Sequence, residues 1–167
     1  MEIGLCLGTN LGDRLANLQA AGEALDALEG GRVIARSRVY ETEPVDVAKE
    51  HRNRPFLNAV LVLETSLDVY RLSHEVHVIE QQLGRVRTGD RNAPRVIDID
   101  ILYANGIEVD SEELAVPHPH WAQRRFVVQP LADVRPDFVM PGQSRTVREV
   151  LMSLPPGPRV VPSRRQW

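Results

Sequence analysis

This sequence is poor in several things, and each shortage excludes something. Cys6 is its only cysteine, so no disulfide framework and no cysteine-based zinc site can form within the chain. No apolar run reaches the roughly 20 residues that span a bilayer. The first ten residues, MEIGLCLGTN, lack the basic and long apolar stretches of a secretory leader. A reducing, cytoplasmic location is expected. No charge dominates either: the formal net charge is −3, so no global field draws the protein to nucleic acid or anionic lipid. Aromatic residues make up only 5% of the chain, and the sheet-face aromatic motif of RNA-binding domains is absent. Any anion site must therefore come from local clustering of charge.

What is present reads as one domain over residues 1–167, a length that can bury a real core. Glu2 to Gly8 reads as a strand closed by a Gly-rich turn. Leu11, Leu15, Leu18, Leu25 and Leu28 then mark a helix that ends at Gly30-Gly31. Arg32 to Thr42 reads as a second strand, rich in β-branched residues, and a polar connection runs from about Glu43 to Pro55. Phe56 to Thr65 is a third strand. Leu72, Val76, Ile79 and Leu83 stripe a second helix that opens near Ser66 or Asp68 and stops at Gly84. After a basic loop from Arg85 to Pro94 comes a fourth strand. This βαββαβ order predicts an α+β, ferredoxin-like sandwich with helices on one side of the sheet. The C-terminal third predicts smaller pieces: a turn at Asn105-Gly106, a short return over Ile107 to Val109, and an extended piece at Leu114 to Pro117. Brief helices are expected at Gln123 to Val128 and Thr146 to Met152, then an irregular tail from about residue 155 to 167. No second hydrophobic core is evident.

The most informative stretch is Val96-Ile97-Asp98-Ile99-Asp100-Ile101. Side chains alternate along a strand, so the isoleucines share one face and the two acids the other, roughly 7 Å apart at Cα. Asp is depleted from strands, and acids left unpaired in a half-buried strand are costly. They need cations. A carboxylate pair of this kind suits a two-metal phosphoryl site, and hard oxygen donors favour magnesium or manganese over zinc. Arg85 and Arg95 bracket the loop leading into this strand, and the arginine fork matches phosphate oxygens. For Arg87 and Arg91 a phosphate role and a solvated loop are equally good readings. The turn Gly8-Thr9-Asn10-Leu11-Gly12-Asp13-Arg14 lacks Walker and Rossmann spacing and reads as structural. His74 and His77 flank the helix stripe and read as surface or boundary positions. His118 and His120, in a proline-rich loop near Arg124 and Arg125, could reach phosphate, though spacing does not require it. Phe56 and Phe126 read as core. Asn58, on the alternate face of its strand, could hydrogen-bond a flat heterocycle.

Taken together, these motifs resemble the 6-hydroxymethyl-7,8-dihydropterin pyrophosphokinase (HPPK) family. The residues that carry the resemblance begin with the Gly8 to Arg14 turn, Tyr40-Glu41-Thr42-Glu43-Pro44 and Phe56-Leu57-Asn58-Ala59-Val60. They continue with Ile79-Glu80, Gly84-Arg85, Ala93-Pro94-Arg95-Val96-Ile97-Asp98-Ile99-Asp100, Val116-Pro117-His118-Pro119 and Arg124-x-Phe126-Val127. The resemblance implies transfer of pyrophosphate from ATP to the hydroxymethyl group of the dihydropterin, releasing AMP, in folate biosynthesis. It implies two Mg²⁺ held by Asp98 and Asp100, and a catalytic group of Arg85, Arg95, Asp98 and Asp100. It places Arg85, Arg95, His118 and Arg124 on the ATP phosphates and Glu80 beside the nucleotide. It places the pterin between Phe56 and Phe126, read by Asn58 and by the backbone around Thr42 and Val45. The expected partners are these two small molecules, with no nucleic acid and no membrane, and the expected state is a monomer. The chain departs from the family pattern at Thr9, Asp46 and Asn92, and in the charged Lys49 to Pro55 segment. Rival readings of the same acids are a metal-dependent phosphoesterase or nuclease acting on water, a non-catalytic binding module, and a glycosidase. The glycosidase gives the arginines no role.

Overall fold

The computed structural model describes residues 1–45, 53–86 and 93–167. Strand β1 (Glu2–Thr9) leads into helix α1 (Arg14–Asp26), whose N-cap Asp13 accepts the Ala16 N–H at 3.2 Å. Strands β2 (Gly31–Arg36) and β3 (Tyr40–Thr42) follow, then β4 (Phe56–Thr65). Helix α2 (Val69–Gln82) is capped by Asp68, whose carboxylate accepts the N–H groups of Tyr70 and Arg71. It ends before Gly84, whose φ of +93° suits glycine. Strand β5 (Asp98–Ala104) completes a βαβββαβ series, one strand more than the expected βαββαβ order.

The strands form an antiparallel sheet in the order β5-β1-β4-β3-β8, where β8 is Val160–Pro162, with β2 also pairing on β4. Leucine and isoleucine side chains from one face of β1, β4 and β5 join Leu18 and Leu25 of α1 and Leu72, Val76 and Ile79 of α2 in one apolar cluster. This is the helix-covered face that the sequence predicts.

The opposite face carries a second core, so the expectation of helices on one side and of a single core is corrected. Cys6, Val60 and Leu102 of the sheet pack with Val127, Val128 and Leu131 of α3 (Arg125–Val134) and Val147 and Val150 of α4 (Val147–Ser153). Helix α3 runs past the predicted end at Val128, to Val134, although Pro130 sits within it. Proline there removes only one intrahelical N–H, and burial of the apolar face outweighs that loss.

The predicted second strand is two. Residues 37–39 of the first strand segment lie opposite only residues 59 and 60 of β4, since Arg36 pairs Leu61 and Tyr40 pairs Asn58. Ser37 fills the break, donating its N–H to Val60 O at 2.9 Å and accepting Val60 N–H on Oγ at 2.8 Å. Two short strands, β6 (Val109–Asp110) and β7 (Ala115–Val116), pair with each other beyond the Asn105-Gly106 turn. The tail is not wholly irregular: Val160–Pro162 forms β8, antiparallel to β3.

Candidate active site

Strand β5 forms one edge of the sheet, and β1 lies beside it. Ile97, Ile99 and Ile101 are buried beneath, while Asp98 and Asp100 stand half-buried on the other face. The alternation read from the sequence therefore holds. In register, Asp98 lies opposite Gly8 of β1, and Gly8 lies opposite Asn58 of β4. Asp98, Gly8 and Asn58 thus form one row across three strands, placing the acid and the amide about 10 Å apart at two strand spacings. Gly8 leaves the middle of the row bare. A Cβ there would meet Asn58 Oδ1 at 2.9 Å.

On the edge side of this row, acids and arginines interleave. One oxygen of Asp98 accepts from Arg85 Nη1 and the other from Arg95 Nη1. Arg85 Nη1 also donates to Glu80 Oε1. Glu80 is 1% exposed and accepts the Ile99 N–H at 2.8 Å on the same oxygen. The Arg85 N–H closes the end of α2 on the Glu80 carbonyl at 2.9 Å. Burial pushes the Glu80 carboxyl up, while the Ile99 N–H and the Arg85 charge oppose that shift.

Asp100 is pushed up to about 7, first by burial and then by the Asp98 charge, with Arg124 opposing. Across β1 its register partner is Cys6. Burial, then Asp100 and Asp98, push the Cys6 thiol up, so it stays protonated and offers no thiolate. Among the described residues no group of three or more His, Cys, Asp or Glu is placed to hold a metal. Two carboxylates alone still fit Mg²⁺, which usually takes one or two of them and fills its shell with substrate phosphates and water.

Beside Asp100 the sheet edge opens into a cleft of about 210 Å³. Val76 and His77 of α2 line one wall and Leu114, Ala115 and His118 the other. The His118 N–H donates to Leu102 O at 2.9 Å, and its Nδ1 accepts the His120 N–H at 3.1 Å. That bond leaves the proton of the neutral ring on Nε2. Burial, then the Arg124 charge, lower the His118 imidazole to about 4. The Arg124 guanidinium carbon lies 5.8 Å from the Phe126 ring centroid.

On the far side of Gly8, buried Asn58 donates from Nδ2 to Thr42 Oγ1 at 2.7 Å. Phe56 is half-buried on the same face of β4, and its ring edge lies 4.0 Å from the position a Gly8 Cβ would take. Phe126 is half-buried against the second core and Val45 is exposed.

The structure thus joins Glu80, Arg85, Arg95 and Asp98 by direct hydrogen bonds and sets Asp100 and His118 on a common cleft. It links Thr42 to Asn58 and places Phe56 beside them. Arg87, Arg91, Asp46, Asn92 and residues 49–52 lie outside the described residues. The row through Gly8 was not legible in the sequence, because it depends on a strand register that spacing does not encode. His77 is half-buried, the boundary position that the sequence suggests, and it also lines the cleft.

The chain matches the family model described as 7,8-dihydro-6-hydroxymethylpterin-pyrophosphokinase (HPPK) over residues 4–136. A protein of Methylorubrum extorquens named 2-amino-4-hydroxy-6-hydroxymethyldihydropteridine pyrophosphokinase is 44% identical over 91% of this chain and 92% of its own length. A protein of the same name from Pseudomonas aeruginosa is 37% identical, covering 90% of each. The folic acid synthesis protein fol1 of Schizosaccharomyces pombe is 37% identical over 90% of this chain, which spans only 20% of that protein. Among solved structures, wild-type Plasmodium falciparum HPPK-DHPS with pteroate shares the fold. Its TM-score is 0.68 at 17% identity, and the match covers 90% of this chain and 42% of that one.

Proposed function

We propose, from the premise that this chain belongs to the 7,8-dihydro-6-hydroxymethylpterin-pyrophosphokinase family, that it is a diphosphotransferase of folate biosynthesis. It transfers pyrophosphate from ATP to the hydroxymethyl group of 6-hydroxymethyl-7,8-dihydropterin and releases AMP. The observation that supports this reading is the row Asp98–Gly8–Asn58, which sets the arginine-held Asp98 carboxylate and the Asn58 amide on one floor. Both substrate sides come from the same sheet, so the chain acts as one catalytic domain and as a monomer. ATP is drawn from the cytoplasm, where the single free thiol at Cys6 stays reduced.

The nucleoside enters the cleft at the β5 edge, and the triphosphate crosses β5 toward Gly8. Arg85, Arg95 and Arg124 take its oxygens, and the neutral His118 adds an Nε2–H donor. Arg85 and Arg95 now hold both oxygens of Asp98, so ATP draws these guanidinium groups off the carboxylate and onto phosphate. Asp98 and Asp100 would hold two Mg²⁺, which supply neutralisation of phosphate charge and acidify the attacking hydroxyl. Glu80 anchors the Arg85 side chain and the start of β5 while this exchange takes place. Phe56 and Phe126 flank the pterin, Asn58 and the backbone at Thr42 and Val45 read its polar edge, and its hydroxymethyl oxygen is carried over Gly8. That oxygen gives up its proton to water as it attacks the β-phosphorus, the bond from the β-phosphorus to the α–β bridging oxygen breaks, and AMP departs. Such transfer is mostly positioning and charge neutralisation.

The test is AMP formation from ATP in the presence of the dihydropterin. Asp98→Ala and Asp100→Ala should each lower turnover by about 100-fold or more, with circular dichroism unchanged. Near-normal turnover in both variants would overturn the metal assignment. Phosphate release without pterin would favour the hydrolase reading.

A further inference from the structure

Asn10 lies in the strand-to-helix turn and enters none of the roles above. It is 6% exposed. Its Oδ1 accepts the Arg95 N–H at 2.8 Å, and its own N–H donates to the Arg95 carbonyl at 3.2 Å. The β1–β5 ladder ends at Gly8 and Asp98, so this reciprocal pair is an additional tie beyond the sheet. It grips the backbone of Arg95 just after Pro94. Arg95 and the Asp98 that its guanidinium holds are thereby both referenced to Gly8–Asn10 of β1.

The turn itself is held from within. Asn17 Nδ2 donates to Leu11 O at 2.9 Å and to Thr9 Oγ1 at 3.4 Å, and Asp13 caps α1. Its far end reaches the pterin side. Arg14 Nη1 donates to Pro55 O at 2.8 Å, next to Phe56, and Arg14 Nη2 pairs with Glu41 at 3.2 Å, next to Thr42. One short turn therefore touches the arginine of the nucleotide side at one end and the neighbours of two pterin-side residues at the other.

We propose that Asn10 is a positioning residue: its amide fixes the Arg95 backbone so that the guanidinium can pass from Asp98 to the transferring phosphate, and the Gly8–Arg14 turn keeps that arginine in register with the pterin pocket. This rests on the pyrophosphokinase reading. Side-chain placement of this kind is a large lever, because a displacement of about 1 Å costs up to about 100-fold in rate. The oxygen of Asn10 acts only through Arg95, so its loss should be masked where Arg95 is already gone.

The experiment is a double-mutant cycle with Asn10→Ala, Arg95→Ala and the double variant. It is scored on kcat and on KM for each substrate, and separately on calorimetric affinity for a non-hydrolysable ATP analogue with Mg²⁺. Asn10→Ala should lower kcat by about 10- to 100-fold, with KM for the pterin within about 3-fold of wild type. In the Arg95→Ala background the same change should cost less than about 3-fold. Asn10→Asp, which keeps an acceptor for the Arg95 N–H, should be nearer to wild type than Asn10→Ala. If Asn10→Ala does not fold, Asn10→Ser serves in the same cycle, since its hydroxyl is too short to make the bond. Additive losses in the cycle overturn the proposal, as does a wild-type kcat in Asn10→Ala beside an impaired Arg95→Ala. A wild-type protein that forms no AMP with pterin present overturns the functional reading instead, and the cycle is then decided by the nucleotide affinities alone.

Discussion

Three acids and three arginines gather at the β5 edge of the sheet: Glu80, Asp98 and Asp100 against Arg85, Arg95 and Arg124. Charges desolvated together are stable only when they balance and hydrogen-bond. Asp98 achieves this with two guanidinium groups, whereas Asp100 does so in part by holding its proton up to about pH 7. His118 gives this scale its pH signature. Its imidazole titrates near 4 in the fold, against about 6.5 in the unfolded chain. The neutral ring is therefore the folded form: its contribution to stability is complete above pH 6.5 and is lost as pH falls through 4. His118→Gln should remove that component. Urea midpoints of the two proteins should stay parallel from pH 8 to 6.5, and the wild-type value should fall more steeply from 6.5 to 4. Parallel curves over the whole range would contradict a buried neutral imidazole.

Among elements, α4 offers the simplest measure of local coding. Thr146 accepts the Glu149 N–H at 3.2 Å, and Glu149 returns to the Thr146 N–H at 2.8 Å, a complete capping box. Thr146→Ala should cost about 1 kcal/mol in chemical denaturation and leave kcat unchanged, because α4 packs behind α3 and away from the row through Gly8. That helix was readable in advance because its cap is local. The same holds for α1, β4 and α2, whose caps, glycine stops and apolar period sit within the segment itself, and for Asp98 and Asp100, whose shared face follows from strand alternation. What the sequence concealed is long-range. The split after Arg36 exists because Ser37 binds Val60. Strand β8 exists because β3 offers it an edge. The floor at Gly8 exists because two ladders align on it. In each case the determining partner is 20 or more residues away, and no periodicity reports it.

At the scale of the whole molecule, residues 160–167 fasten the edge of the sheet farthest from β5. Val160, Val161 and Pro162 pair with Thr42, Glu41 and Tyr40. Gln166 accepts the Val39 N–H at 2.7 Å and donates to its carbonyl at 3.2 Å, while the Trp167 indole donates to Ser37 O at 2.7 Å and stacks 5.3 Å from Arg36. Trp167 also reaches the α1 glycine Gly22, where an added Cβ would lie 3.6 Å from its ring. One short segment thus braces β2, β3 and α1 together, and β3 carries the Thr42 that holds Asn58. Ending the chain at Pro158 should lower stability by about 3–5 kcal/mol, from several hydrogen bonds at about 1 kcal/mol each and partial burial of one indole. The functional loss should be one-sided. KM for the pterin should rise more than KM for ATP, since β5 and its arginines lie at the opposite edge. Steady-state kinetics on the shortened protein, at a temperature where circular dichroism shows it folded, measures both. Equal rises in the two constants would mean that the tail supports the sheet generally, and that β3 is not its point of action.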